Sequence, residues 1–233
     1  MRSIPLIGAA AALLVASMPA LADRHREVLE LGLRLGYSLP LGRVHGAETM
    51  TNGVTTATSP AESLSDAARS QIPIWADIGL RATPRLYVGG FFQYGIAFVP
   101  NNSTTGCRVG GVSCSGHDLM FGVDAHYHIM PGTTLDPWVG LGVGYESFGT
   151  SQSANGQSAS GSFSGFQFVN VQAGGDCMLT PNLGVGPFVA FSLGEFTSAS
   201  YDQGATSTSS SVEYTGLHEW LTIGVRGAYD IVF

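Results

Sequence analysis

Hydrophobic and polar residues alternate along most of the chain with a period of two. From Leu29 to Leu39 every odd position is leucine or tyrosine, and the even positions are glutamate, glycine, arginine or serine. The stretch from Leu221 to Phe233 repeats the pattern, with apolar residues at most odd positions. Successive side chains of a strand point to opposite faces, so this period predicts β-strands with one apolar and one polar face.

Six further segments between these two show the same alternation. We predict strands over residues 71–81, 86–99, 118–130, 137–148, 166–179 and 183–196. A barrel strand needs about 9–11 residues to cross a bilayer at its usual tilt, and every predicted strand reaches that length.

The connections alternate between short turns and long polar segments. The short turns cover residues 83–85, 131–136 and 180–182. The long segments are rich in serine, threonine, glycine and asparagine, and we predict loops over residues 43–70, 100–117, 149–165 and 197–217. Short turns on one side and long loops on the other are typical of outer-membrane barrels, and this register puts both termini on the periplasmic side.

The composition excludes several classes of protein. Only 12% of the residues are charged, which is too few to coat a soluble domain of this length. Ten arginines and no lysine stand against 17 carboxylates, so we expect no nucleic-acid partner, because an acidic chain cannot neutralise a row of phosphates. Glycine is abundant, with 32 residues, but does not recur at every third position as in collagen.

The character of the two faces indicates which one meets lipid. The polar face consists largely of glycine, serine, alanine and threonine, which suit the crowded interior of an eight-stranded barrel. The apolar face carries no arginine or carboxylate within the strand cores, and its aromatic residues cluster near strand ends, as in interfacial girdles. We therefore predict an all-β fold, a closed antiparallel eight-stranded transmembrane up-and-down β-barrel, rather than a lipocalin-like soluble barrel.

The first 22 residues have the features of a secretory signal peptide. Arg2 is followed by a short apolar run and by Ala20-Leu21-Ala22, a small-residue cleavage pattern. We expect residues 1–22 to be removed and residues 23–233 to form the barrel domain. Export licenses disulfides, and Cys107 and Cys114 flank a glycine-rich stretch that a disulfide would close. Cys177 is left over and is interpreted as a small apolar side chain.

The whole mature chain resembles the small eight-stranded outer-membrane barrels, the family of the OmpA transmembrane domain and OmpX. The most specific part of the resemblance is the final strand, which alternates through Tyr229 and Ile231 to the terminal aromatic Phe233. In that family such a strand resembles the signal read by the barrel-assembly machinery. The resemblance implies a location in the outer membrane of a Gram-negative bacterium, with lipids and lipopolysaccharide as neighbours.

Charged residues on the polar face predict a network inside the barrel. Arginines and carboxylates in a narrow lumen should pair, because a buried unpaired charge is costly. The first and last strands become neighbours when the barrel closes, which brings Arg34 and Arg226 together. We predict a charge network formed by Glu30, Arg34, Asp77, Arg226 and Asp230. Large inward rings favour a plugged lumen, and the inward set is Trp75, Phe91, Trp138, Phe148, Phe188 and Trp220.

A weaker pattern concerns metal binding. Asp124, His126 and His128 lie two residues apart on one strand face, a spacing at which histidines can chelate zinc or copper. The spacing is common by chance and no fourth ligand is evident, so we expect no cofactor. The histidine–carboxylate dipeptides His117-Asp118 and His218-Glu219, near serine-rich loops, are weak signals for an enzyme, because a rim histidine beside a carboxylate is far more often part of a solvated polar pair.

These observations support a non-catalytic barrel with a structural or surface-interaction role. It would support membrane integrity or mediate adhesion, through extracellular loops and a partner that the sequence does not identify. One alternative is a narrow porin-like channel for small solutes. A second is a lipid A-modifying enzyme of the kind that small outer-membrane barrels can carry.

Overall fold

The polypeptide is almost entirely β-structure. A computed structural model describes residues 28–46, 48–51, 56–59, 61–100, 107, 111–203, 206–212 and 215–233. The predicted signal peptide lies outside these residues. Within them no helix is long and apolar enough to span a membrane.

Eight long strands and several short elements make up the described part of the chain. The elements are β1 (Val28–His45), β2 (Glu48–Thr51), β3 (Thr56–Ser59), β4 (Glu62–Ser63), α1 (Leu64–Ala67), β5 (Ser70–Thr83), β6 (Leu86–Phe98), β7 (Ser113–His128), β8 (Leu135–Ala154), β9 (Gln157–Thr180), β10 (Leu183–Gln203), β11 (Thr206–Ser211) and β12 (Leu217–Val232). The eight predicted strands correspond to β1, β5 to β10 and β12.

These eight strands form a closed antiparallel ring. Each pairs with the next along the chain, and the ring closes where β12 pairs with both β10 and β1. Across the closing pair Arg34 lies directly opposite Arg226. The predicted fold class, a closed eight-stranded up-and-down barrel, is confirmed.

The barrel is apolar outside and polar inside. On β1 the side chain of Leu33 is 61% exposed while that of its neighbour Arg34 is 1% exposed. The same alternation runs through the other strands, so that leucine, isoleucine, valine, phenylalanine and tyrosine side chains cover the outer surface of the barrel. The predicted assignment of the two faces therefore matches the structure, and it is the reverse of the arrangement in a water-soluble barrel.

Two predicted long loops are wrong. Residues 149–165 continue β8 and β9 into a long hairpin, closed by a two-residue turn at Asn155 and Gly156. Both turn residues have positive φ, 51° and 77°, which is the backbone of a type I′ turn and matches the right-handed twist of the strands. Residues 197–203 likewise extend β10, and β11 pairs with that extension. The sequence pattern did not predict these strands because serine and threonine occupy both of their faces, so that apolar and polar positions do not alternate.

The first predicted loop, residues 43–70, also contains ordered structure. The short helix α1 buries Leu64, and Val44 and Ala68 are buried with it. These side chains belong to the same apolar cluster as Phe148 and Trp220 inside the barrel. The connection between β1 and β5 therefore fills the loop end of the lumen. In the second predicted long loop, residues 100–117, Cys107 and Cys114 form the predicted disulfide.

Candidate functional site

The barrel interior holds a dense set of buried charges centred on Arg34. Its guanidinium donates to Asp77 Oδ2 at 3.0 Å and to the side-chain oxygen of Gln172. Arg34 also lies 3.5 Å from Asp124 Oδ2 and 3.3 Å from His126 Nε2. Both ionic partners are fully buried, so the arginine neutralises two carboxylates away from water.

Arg226 is the second centre. Its guanidinium donates to Glu30 and, at 2.6 Å, to Asp176 Oδ2, and it lies 3.6 Å from Asp77 Oδ1. Asp77 therefore lies between the two arginines, which are opposite each other on neighbouring strands. The carboxylate stabilises a pair of like charges that would otherwise repel each other.

Asp230 occupies a more peripheral position than predicted. It contacts Arg81 Nε at 3.4 Å, and the same nitrogen lies 2.7 Å from Glu30 Oε2. Arg81 and Asp230 line a cavity of about 280 Å³ at the end of the barrel that carries the short turns. The structure thus brings all five predicted residues into one continuous network, but it joins Asp230 to the others through Arg81.

Several members of the network escaped the sequence argument. Asp124, Asp176 and Gln172 lie on inward faces, which alternation reveals, but their partners depend on how the strands are staggered around the ring. The strand register sets this stagger, and the two-residue alternation of the sequence does not reveal the register. For Asp124 and Asp176, the signal that could have identified them is the excess of inward carboxylates over inward arginines, and no such signal marks Gln172.

Aromatic rings enclose both arginines. The Cζ atom of Arg34 lies 4.6 Å from the ring centre of Trp75, and that of Arg226 lies 5.0 Å from the ring centre of Trp138. Tyr87, which the sequence argument did not place here, stacks on His126 with ring centres 4.7 Å apart. The six predicted inward rings are all buried. These contacts fill the lumen at the level of the network and hold the guanidinium groups by cation–π attraction.

The three weak metal candidates do not form one site. His126 Nε2 lies 2.9 Å from Asp124 Oδ2, whereas His128 Nδ1 lies 2.9 Å from Asp136 Oδ2, a different carboxylate. A separate group, Glu30, Asp77 and His126, offers ligand atoms within 4.8 Å of one another. Arg34 and Arg226 already contact the two carboxylates of this group, so a metal ion would have to compete with both guanidinium groups.

A second buried polar cluster lies nearer the loop end, and we call it the carboxyl layer: Asp118, Glu146, His218 and Trp220. Glu146 accepts a hydrogen bond from Trp220 Nε1 at 2.9 Å and lies 2.9 Å from His218 Nε2. Asp118 accepts from Gln71 Nε2 at 3.0 Å. All four members are at most 1% exposed.

Neither rim dipeptide behaves as a histidine–carboxylate pair. His218 turns inward to Glu146 and not to its neighbour Glu219, and His117 stacks on Tyr94 with ring centres 6.4 Å apart. Cys177 is exposed on the outer face of β9. At the end of the chain Tyr229 and Phe233 are exposed and Ile231 is partly exposed, and the signal role of these three residues stays a prediction.

Comparison with known proteins identifies the fold. No family model matches the chain, and no curated protein matches it either. Among solved structures, a major outer membrane protein from Thermus thermophilus superposes with a TM-score of 0.53 at 14% identity, covering 89% of this chain and 100% of that one. OprG from Pseudomonas aeruginosa gives a TM-score of 0.49 at 13% identity, covering 88% and 96%. The chain therefore has the fold of an outer-membrane β-barrel.

Proposed function

We propose that the protein is an outer-membrane β-barrel of a Gram-negative bacterium that presents an extracellular β-sheet to a partner and has no catalytic activity. The apolar outer surface supports the membrane location. A closed ring leaves no unpaired strand edge in the hydrocarbon, and a surface of leucine, valine and aromatic side chains is stable there but not in water.

The observation that carries the proposed role is the sheet extension, residues 149–165 and 197–211. It continues β8, β9 and β10 and adds β11. These two segments contain a single charged residue, Asp202, and are composed mainly of serine, threonine, glycine, alanine and glutamine. An uncharged, hydrogen-bonding surface of this kind suits water and polar partners and does not suit lipid.

One edge of the extension has the features of a docking site for an extended peptide. Every described residue of β11 is exposed. Within the part of the chain that the structure describes, β11 pairs with β10 alone. Natural proteins commonly protect such edges with lysine or proline, and β11 has neither. A partner segment without charge could add to this edge as a further strand, with backbone hydrogen bonds supplying the affinity.

The test places charge on the edge and leaves the barrel intact. We expect Ser207→Lys/Ser209→Lys to abolish adhesion of cells that display the protein, because lysines on an edge oppose the addition of a strand. The matched control is Ser160→Lys/Ser162→Lys in β9, where both positions are paired on both sides. Adhesion that survives the β11 change, or is lost equally with the control, would refute the proposed role.

Two measurements separate the alternatives. A porin-like channel predicts a stable unitary current in planar bilayers, and we expect none because arginine and tryptophan side chains fill the lumen. A lipid A-modifying enzyme predicts altered acyl chains on lipopolysaccharide after incubation, and we expect mass spectrometry to show unchanged lipid.

A further inference from the structure

The carboxyl layer contains two acids whose contact needs a proton. Asp118 on β7 and Glu146 on β8 are diagonal neighbours, since Asp118 pairs with Phe148 and Glu146 pairs with Met120. Both side chains point inward from adjacent strands and are buried, and side chains of such a diagonal pair can reach each other. No donor among the described residues reaches Asp118 Oδ1, although Asp118 Oδ2 accepts from Gln71.

The remaining groups around the pair do not neutralise two negative charges. Both oxygens of Glu146 are engaged, by Trp220 and His218. No arginine ion pair to Asp118 or Glu146 occurs in the described part of the chain. Among the described residues, His218 on β12 is the one other titratable group in direct contact, and β5, β6 and β9 contribute the uncharged Gln71, Gln93 and Gln167.

We propose that Asp118 and Glu146 share one proton, and that this proton locks the plug at the loop end of the lumen. Asp118 Oδ1 then donates to Glu146, which removes the orphaned acceptor and leaves a single negative charge for the Trp220 and His218 donors. If Asp118 and Glu146 were both ionised, the two neighbouring carboxylates would repel each other strongly. The buried layer has a low local dielectric, and none of the described cationic side chains is paired with Asp118 there.

The shared proton can lock the plug because aromatic rings of the plug pack directly on the carboxyl layer. The His218 ring stacks on Phe196 with ring centres 3.9 Å apart, and Phe148 contacts Trp220 with ring centres 6.4 Å apart. Phe148 and Phe196 belong to the apolar cluster that buries Leu64 of α1. Loss of the shared proton charges the layer beneath this cluster, so water must enter and the plug must loosen.

The sign of the pH dependence is therefore opposite to that of a salt-bridged carboxylate. The proton belongs to the folded state, and an unfolded chain releases it near the ordinary carboxyl range of about pH 4. Stability from the lock is present at low pH and is lost as the pH rises through the titration of the pair.

The experiment follows thermal unfolding of the full barrel in detergent micelles between about pH 4 and pH 9. We expect the wild-type midpoint to fall towards alkaline pH, and that fall to disappear in Asp118→Asn, whose amide donates to Glu146 as the proton does. Asp202→Asn, which changes an exposed acid on β10, should retain the wild-type profile. A wild-type slope in Asp118→Asn, or a wild-type midpoint independent of pH, would overturn the proposal.

A second readout does not depend on unfolding. The indole N–H of Trp220 donates to Glu146, so its ¹⁵N–¹H resonance, assigned with Trp220→Phe, reports the charge of the pair. We expect this resonance to move with pH in the wild type and to stay in place in Asp118→Asn. Glu146→Gln, which leaves one carboxyl, should also remove the alkaline loss of stability. A stationary wild-type resonance would contradict the shared proton.

Discussion

Arg34 lies in a barrel interior where its charge is useful only if its partners are in place. The carboxylates of Asp77 and Asp124 form ion pairs with its guanidinium group, and the Trp75 ring covers one face of that group. These contacts reach two other strands, so the arginine joins β1, β5 and β7 through side chains as well as through the backbone ladder. At this scale, buried ion pairs specify how strands far apart in the ring face one another.

Arg34→Ala tests this role directly. It leaves Asp77 and Asp124 buried without that guanidinium, and breaking such a pair costs about 3–5 kcal/mol. We expect the unfolding midpoint of the barrel in urea to fall accordingly. Arg43→Ala, which removes an exposed arginine from the same strand, should leave the midpoint within error. Equal midpoints for the two variants would show that the network does not stabilise the barrel.

Much of this residue-level arrangement could be predicted from the alternation. The inward position of Glu30, Arg34, Asp77 and Arg226 follows from parity, and the proximity of the two arginines follows from barrel closure. The roles of Arg81 and Asp176 could not be predicted, because a shift of register by two residues preserves every face and changes every partner.

The β8–β9 hairpin shows how a strand can continue where hydrophobic alternation ends. Its residues beyond the barrel pair in register from Gly149 opposite Ser162 to Ala154 opposite Gln157. Backbone hydrogen bonds and the Asn155-Gly156 turn hold the element together. Sequence alternation could not predict these strands, since serine on both faces has no period, but the Asn-Gly dipeptide is a hairpin signal that was present in the sequence.

Gly156→Ala tests how strongly the hairpin depends on its turn. A side chain at φ 77° costs about 1–2 kcal/mol, because L-residues avoid the left-handed region. We expect amide hydrogen exchange at the tip to accelerate by about tenfold, with the unfolding midpoint of the barrel unchanged. Gly161→Ala is the matched control, because the added methyl group makes only an ordinary van der Waals contact, 3.9 Å from the Ser200 carbonyl oxygen, at an ordinary φ. Unchanged exchange in Gly156→Ala would contradict the turn assignment.

The whole molecule depends on which solvent covers its outer surface. Apolar side chains such as Leu33 and Leu141, 61% and 63% exposed, cover the barrel wall, while the carboxylates and arginines lie inside. The strand count, the faces and the closure could all be predicted from the sequence, because each depends on period and turn length alone. The position of α1 in the loop end of the lumen could not be predicted, because a helix of four residues is too short to show a hydrophobic period.

Gel mobility with and without heating tests the molecular architecture. We expect the mature protein to need detergent for solubility, and the unheated sample to migrate differently from the boiled one because a closed barrel resists dodecyl sulfate. A denatured barrel run beside it serves as the control. A mature chain that stays monomeric in buffer without detergent would show that the apolar face does not meet lipid.

In the sheet extension, the side chains displayed at the surface are distinct from the main-chain groups that hold the strands together. Its strands are joined by main-chain groups, which every amino acid except proline supplies in full, so most of its outward side chains carry no duty in assembly. Outward residues of such a region can therefore be exchanged one for another while the strand pairing and the barrel wall beneath it stay in place.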